Sequence, residues 1–153
     1  MGMSWLGRIG KVMAKVSVFD SSAFIALIPP ERYSSWVDQM IVGSKTLVSL
    51  DLAVYEVSNA LWKKYSKLGV LREGDVYMAL EKFFEFIKTI FEIYRYSDVI
   101  EDAVRISLEH DITVYDAAYV ALADRLGGTY ITLDIRLKEK LDGTRYYDII
   151  LTP

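Results

Sequence analysis

Cysteine is absent from this chain of 153 residues, and histidine occurs once, at His110. The first absence removes disulfides, thiolate nucleophiles and cysteine-built zinc sites, and it agrees with a reducing, cytoplasmic setting. The second excludes a multi-histidine zinc site and leaves a serine hydrolase a single candidate base. His110 itself ends a helix in Glu109-His110-Asp111, where interaction with the helix dipole accounts for it. No apolar run of roughly 18 residues occurs, so no segment is expected to cross a membrane. Excess positive charge is missing too. A net charge of −3 does not advertise a broad nucleic-acid-binding surface, although acids gathered round a cation would hide the polarity a phosphodiester meets.

What is present suits one soluble domain, with 52% hydrophobic and 25% charged residues. Residues 1–15, MGMSWLGRIGKVMAK, read as an extension or a misplaced start ahead of a domain at 16–153. The stretch has no long apolar centre or cleavage site for a signal peptide, and Leu6 stands where myristoylation needs Ser or Thr. An interfacial amphipathic helix is the alternative for it.

From residue 16 the pattern alternates. VSVF at 16–19 predicts a strand ending at Asp20, followed by an apolar helix that Pro29 and Pro30 stop. A helix is predicted over 33–42, a strand over Thr46–Leu50, and helices from about Leu52 to Lys67 and Asp75 to Lys88, the former closed by Gly69. A strand around Ile90–Tyr94 precedes a helix that Ser97 would cap. The close repeats the theme: ITV at 112–114 as a strand, an apolar helix over Asp116–Leu126, a strand TYITL at 129–133, and a last strand at 147–151. Such alternation predicts a three-layer α/β/α sandwich on a mainly parallel sheet, whose ligands collect at the carboxyl ends of the strands.

Asp20 and Asp134 each directly follow a strand, and Asp116 and Glu56 lie on helices flanked by apolar residues. Each acid has a purely structural role open to it. Asp20 and Asp134 could cap helices, Asp116 could close a capping box begun by Thr113, and Glu56 could sit on the solvated side of an amphipathic helix. Taken together they point elsewhere. Two carboxylates about 4 Å apart repel by roughly 4 kcal/mol at an effective dielectric near 20, so acids gathered at one sheet edge need a cation. Ser22, Asn59 and Thr132 place neutral oxygens and an amide beside them, a set suited to hydrated Mg2+ or Mn2+.

The segments VFDSSAFIAL (18–27), YEVSNAL (55–61), TVYDAAYVALA (113–123) and ITLDIRL (131–137) resemble the four acidic motifs of PIN domains, especially the VapC toxin type. The resemblance covers nearly all of 16–151. It implies a Mg2+- or Mn2+-dependent endoribonuclease in which Asp20, Glu56, Asp116 and Asp134 form the metal-binding and catalytic cluster and Ser22, Asn59 and Thr132 support it. It also implies a homodimer silenced by a small antitoxin protein, acting on RNA in the cytoplasm. Lys63, Lys67 and Arg136 are candidate contacts to the RNA backbone, or members of solvated helix faces. Two readings stay beside the toxin: a silent PIN-like module that binds RNA or protein, and a housekeeping RNA-processing nuclease. A haloacid-dehalogenase-type phosphatase wants a second Asp where Ser22 stands, and a receiver domain wants an acidic pair where the chain has Phe19-Asp20.

Overall fold

β-Branched and aromatic residues in the opening VSVF build the central strand of the molecule. The computed structural model describes residues 16–153, and the extension at 1–15 lies outside them. The described elements are β1 (Val16–Phe19), α1 (Ser21–Leu27), α2 (Ser34–Gly43), β2 (Thr46–Leu50), α3 (Leu52–Ser66), α4 (Glu73–Ile90), β3 (Glu92–Tyr94), a 3-10 turn (Tyr96–Asp98), α5 (Ile100–His110), α6 (Val114–Leu126), β4 (Thr129–Ile131), α7 (Ile135–Lys140), a second 3-10 turn (Tyr147–Ile149) and β5 (Ile150–Leu151). The strands form one sheet in the order β3-β2-β1-β4-β5, and every pairing is parallel.

Alternation along the strands divides the interior into two cores. Val18 and Tyr130 face one core with Ile106, Val120 and Leu122, on the side of α5 and α6. Their neighbours Phe19 and Ile131 face the other with Phe24, Met40 and Phe83, on the side of α1 to α4. Helices therefore cover both faces, as the alternating pattern predicts. α6 is buried at every residue from Ala117 to Ala123, so the apolar run in this helix is interior.

Chain order reverses between β1 and β4, which makes the carboxyl ends of those two strands the place where such sheets bind ligands. Asp20 leaves β1 there, tied by its N–H to the Ile131 carbonyl at 3.4 Å, and Thr132 and Asp134 leave β4.

Some boundaries differ from the sequence reading. ITV at 112–114 is not a strand: Asp111 adopts a left-handed φ of 52°, Thr113 caps α6, and helix begins at Val114. The Ile112 carbonyl is satisfied by the Ser107 hydroxyl at 2.5 Å instead of by a strand partner. Ser97 does not cap a helix but lies inside a 3-10 turn, and α5 starts at Ile100. Ile90 closes α4, so β3 is shorter than expected, as are β4, which ends at Ile131, and β5, where 147–149 form a turn.

Candidate active site

Asp20 is buried, at 6% exposure, and its carboxylate collects five donors. Oδ1 accepts from the Ser22 and Ala23 amides at 3.0 and 3.4 Å, so the residue is the N-cap of α1, and from the Ser22 hydroxyl at 2.5 Å. Oδ2 accepts from the Tyr130 and Thr132 hydroxyls at 2.7 and 2.6 Å. The capping role expected of an Asp in this place is thus real, and it coexists with a buried, fully occupied carboxylate. Burial raises its pKa and the donors oppose that rise.

The other three acids surround it on helix starts. Glu56, near the beginning of α3, is half-buried and accepts the Tyr119 hydroxyl on Oε1 at 2.7 Å. Burial pushes its pKa up, Tyr119 opposes, and the charges of Asp20 and Asp116 push it further. Asp116 lies in the first turn of α6, with its amide on the Thr113 hydroxyl at 3.1 Å and its carboxylate receiving that hydroxyl at 2.9 Å. This is half the anticipated capping box, because the carboxylate meets the Thr113 hydroxyl. Burial raises the Asp116 pKa, as do the Asp134 and Asp20 charges, against the pull of Lys140. Asp134 is exposed, caps α7 through the Leu137 amide at 3.0 Å, and donates its own N–H to the Thr132 hydroxyl at 3.1 Å. α1, α6 and α7 thus begin at this edge, and their dipoles help it tolerate negative charge.

Ser22 and Thr132 link the strand exits, since the Ser22 hydroxyl also accepts the Leu133 amide at 3.0 Å. Asn59 lines a cleft of about 320 Å3 with Glu56, Leu52, Tyr55 and Tyr115. Lys63, Lys67 and Arg136 are all exposed, and Lys67 lies 5.6 Å from the centre of the Trp62 ring. Lys63 is seven residues beyond Glu56 on α3, about 10 Å along its axis, and Lys67, eleven residues beyond Glu56, is the C-cap of that helix. Arg136 is in the first turn of α7 beside Asp134. His110 packs edge-on against Tyr146 at the end of α5.

Two tyrosines were missed by the sequence reading. Tyr119 and Tyr130 are buried, their rings stack 5.8 Å apart, and each donates to a different acid. Burial holds both phenols well above their usual pKa, so they remain donors. A tyrosine three residues after Asp116, on the same helix face and within the apolar run Ala117–Ala123, was the available signal for Tyr119.

The donor set fits a hard divalent cation in kind: carboxylate and hydroxyl oxygens, with Glu56 and Asp116 each lying in the negative field of neighbouring acids. Among the described residues, however, no three acidic or imidazole side chains are drawn together tightly enough to form a finished metal cage. Asp20 shows why on its own account. Five donors exhaust the roughly four lone-pair positions of a carboxylate, so ligation by Asp20 requires the Ser22, Thr132 or Tyr130 hydroxyl to turn away.

These pKa directions carry a stability consequence. The raised carboxyls bind more protons in the folded chain than in the unfolded one, so their contribution to stability is complete below about pH 4 and is lost as pH rises through the raised values. Asp116→Asn removes one ionising member. In metal-free thermal scans the variant is expected to gain on the wild type between about pH 4 and pH 7, and Mn2+ at neutral pH to raise the wild-type Tm more than the variant's. A Tm difference that is flat with pH would contradict mutual repulsion among these acids.

Known proteins give the following likenesses. The family model for the PIN domain matches residues 17–141. Ribonuclease VapC3 of Pyrobaculum aerophilum is 45% identical over 123 residues, spanning 80% of this chain and 92% of that protein. Exonuclease VapC9 of the same organism is 29% identical over 124 residues, 81% of this chain and 84% of that one. Among solved structures, a toxin-antitoxin complex from Klebsiella pneumoniae contains a chain of the same fold, with a TM-score of 0.64 at 19% identity, covering 90% of this chain and 97% of that one.

Proposed function

The chain belongs to the PIN domain family, and from that membership and its acidic edge we propose that it is a divalent-metal-dependent endoribonuclease, the toxin of a toxin-antitoxin pair. The observation that carries this is the placement of four carboxylates at the sheet's switch point, three of them with pKa values raised by burial, Glu56 and Asp116 further by the charges of their neighbours. Support for the substrate comes from the ribonuclease relative, and for a small antitoxin partner from the Klebsiella pneumoniae complex. A homodimer acting in the cytoplasm completes the reading; no described helix is long and apolar enough to cross a membrane.

Asp20, Glu56, Asp116 and Asp134 would hold Mg2+ or Mn2+. The chemistry such an ion would supply there is polarisation of a scissile phosphate and acidification of a water. Ser22, Thr132 and Tyr130 hold Asp20, Tyr119 holds Glu56, and Thr113 holds Asp116, so three of the four carboxylates are oriented in advance, and one hydroxyl on Asp20 would yield its place to the ion. Asn59 offers an amide beside Glu56, and Arg136, Lys63 and Lys67 offer charge to the flanking phosphates.

The saturated Asp20 carboxylate favours a second reading, a PIN-like module that binds without cutting. Single-stranded RNA blocked at both ends separates the two. Internal cuts in Mg2+ or Mn2+ that vanish in EDTA are the expected result. Binding without new ends would establish the module, and a blocked strand left intact while the same strand with a free end is degraded would make the enzyme an exonuclease.

A further inference from the structure

Two of the four acids are each preceded in sequence by an exposed tyrosine, Tyr55 before Glu56 and Tyr115 before Asp116. They are 80% and 62% exposed, an unusual outlay of aromatic surface for residues whose neighbours are half-buried carboxylates. Both line the cleft that contains Glu56 and Asn59, and both also line a second, adjoining cavity of about 400 Å3. Leu52, Val114 and Ala118 contribute to this second cavity, and Tyr96 and Ile100 form its far side.

That far side is pinned in place. The Tyr96 N–H donates to Asp51 Oδ1 at 2.8 Å while the Asp51 N–H donates to the Tyr94 carbonyl at 2.9 Å, which fixes the 3-10 turn against the start of α3. The groove is therefore held open by its own backbone, and it is largely apolar and walled by three tyrosines, with Asp51 in its lining engaged by the Tyr96 N–H. Aromatic faces on a preformed groove are what unpaired bases stack upon, and they accept any base because every base has a π-face.

We propose that this groove is a nucleobase subsite for the single-stranded RNA cut at the acidic edge, with Tyr55 and Tyr115 as the stacking residues and Tyr96 closing the far side. The proposal rests on the ribonuclease reading of the acids. Continuity selects RNA over another protein as occupant: a strand with one phosphate beside Glu56 and Asp116 must place an adjacent base within a nucleotide's length, and the groove shares Leu52, Tyr55 and Tyr115 with the acid-bearing cleft. The two tyrosines then set how the substrate lies across the carboxylates and favour unpaired over duplex RNA.

The test measures binding of a labelled ten-nucleotide single strand by anisotropy, in the Asp20→Asn full-length chain so that turnover does not interfere. Tyr55→Ala and Tyr115→Ala should each weaken binding about tenfold, and phenylalanine at either position should restore it. An abasic nucleotide scanned along the strand should reproduce the loss at one or two positions with the tyrosines present and add little once they are removed. Equal affinity for abasic and intact strands at every position would overturn the proposal. So would alanine variants that leave RNA affinity unchanged but shift the sedimentation of the protein, since the groove would then be covered by a second copy. Cleavage of the same RNA by the wild type is scored separately: tyrosine-dependent binding without cleavage upholds the groove and removes the nuclease, while cleavage indifferent to abasic scanning removes the groove and leaves the nuclease.

Discussion

Asp20→Asn and Asp116→Asn proteins are expected to cleave RNA on the order of 10³-fold more slowly than wild type, about 4 kcal/mol of lost transition-state stabilisation, while folding normally. The folding half of that expectation follows from the hydrogen bonds. At position 20 an asparagine carbonyl keeps the Ser22 and Ala23 amides, which are fixed in direction, and Asn caps helices as well as Asp does. Its NH2 replaces an acceptor with a donor, but the Tyr130 and Thr132 hydroxyls that face it can rotate to accept. At position 116 the Thr113 hydroxyl meets an amide oxygen in place of a carboxylate oxygen, and α6 keeps its cap. Charge is what both variants lose. Normal cleavage by both, with circular dichroism and Tm near wild type, would detach the acids from the reaction. Asp20→Ala is the poorer probe, because it strands five donors at a buried position and destabilises the fold as well.

The central framework was legible in the sequence because its signals are local. VSVF-Asp20 and TYITL-Asp134 each place an acid directly after a short apolar run, and parallel pairing of those two runs then puts both acids at one edge. Where two local signals competed, the choice was harder. Ile112, Thr113 and Val114 have the composition of a strand, yet Thr113 is also an N-cap, and the cap prevailed because Asp111 turns the chain straight into α6. Gly127 and Gly128 read together as a helix stop, but not which does what. Gly127 takes the left-handed φ of 61°, whereas a Cβ on Gly128 would come within 2.5 Å of the Val16 carbonyl oxygen. The tyrosine partners of the acids were invisible for another reason. Tyr119 lies 63 residues from Glu56, and Tyr130 lies 110 from Asp20, so only the tertiary fold joins phenol to carboxylate. In a buried pattern a tyrosine looks like apolar filling until its hydroxyl finds a partner.

Phe24→Ala and Phe83→Ala are expected to cost about 3–5 kcal/mol each, against a total stability of about 5–15 kcal/mol for a domain of this kind. The rings form one connected set beneath the acidic edge. Phe24 meets Phe83 at 5.2 Å and Phe91 at 5.0 Å, and Phe91 meets Phe19 at 5.5 Å, all edge-to-face. Phe24 and Phe83 are at 1% and 0% exposure, so truncation leaves a cavity that α1, α4 and β1 cannot jointly close. The expected shift in Tm is on the order of 10 °C, checked by thermal or denaturant unfolding. A functional consequence is tied to it. Phe19 ends β1 immediately before Asp20, and Phe24 lies one turn into the helix that Asp20 caps, so loosening this cluster moves the carboxylate relative to Asp116, whose helix packs in the opposite core. Activity at temperatures well below the variant's Tm should fall by more than the unfolded fraction accounts for, because positioning within about 1 Å governs the rate. A variant of either phenylalanine that loses stability yet keeps full cleavage at low temperature would show that α1 holds Asp20 through its cap hydrogen bonds alone.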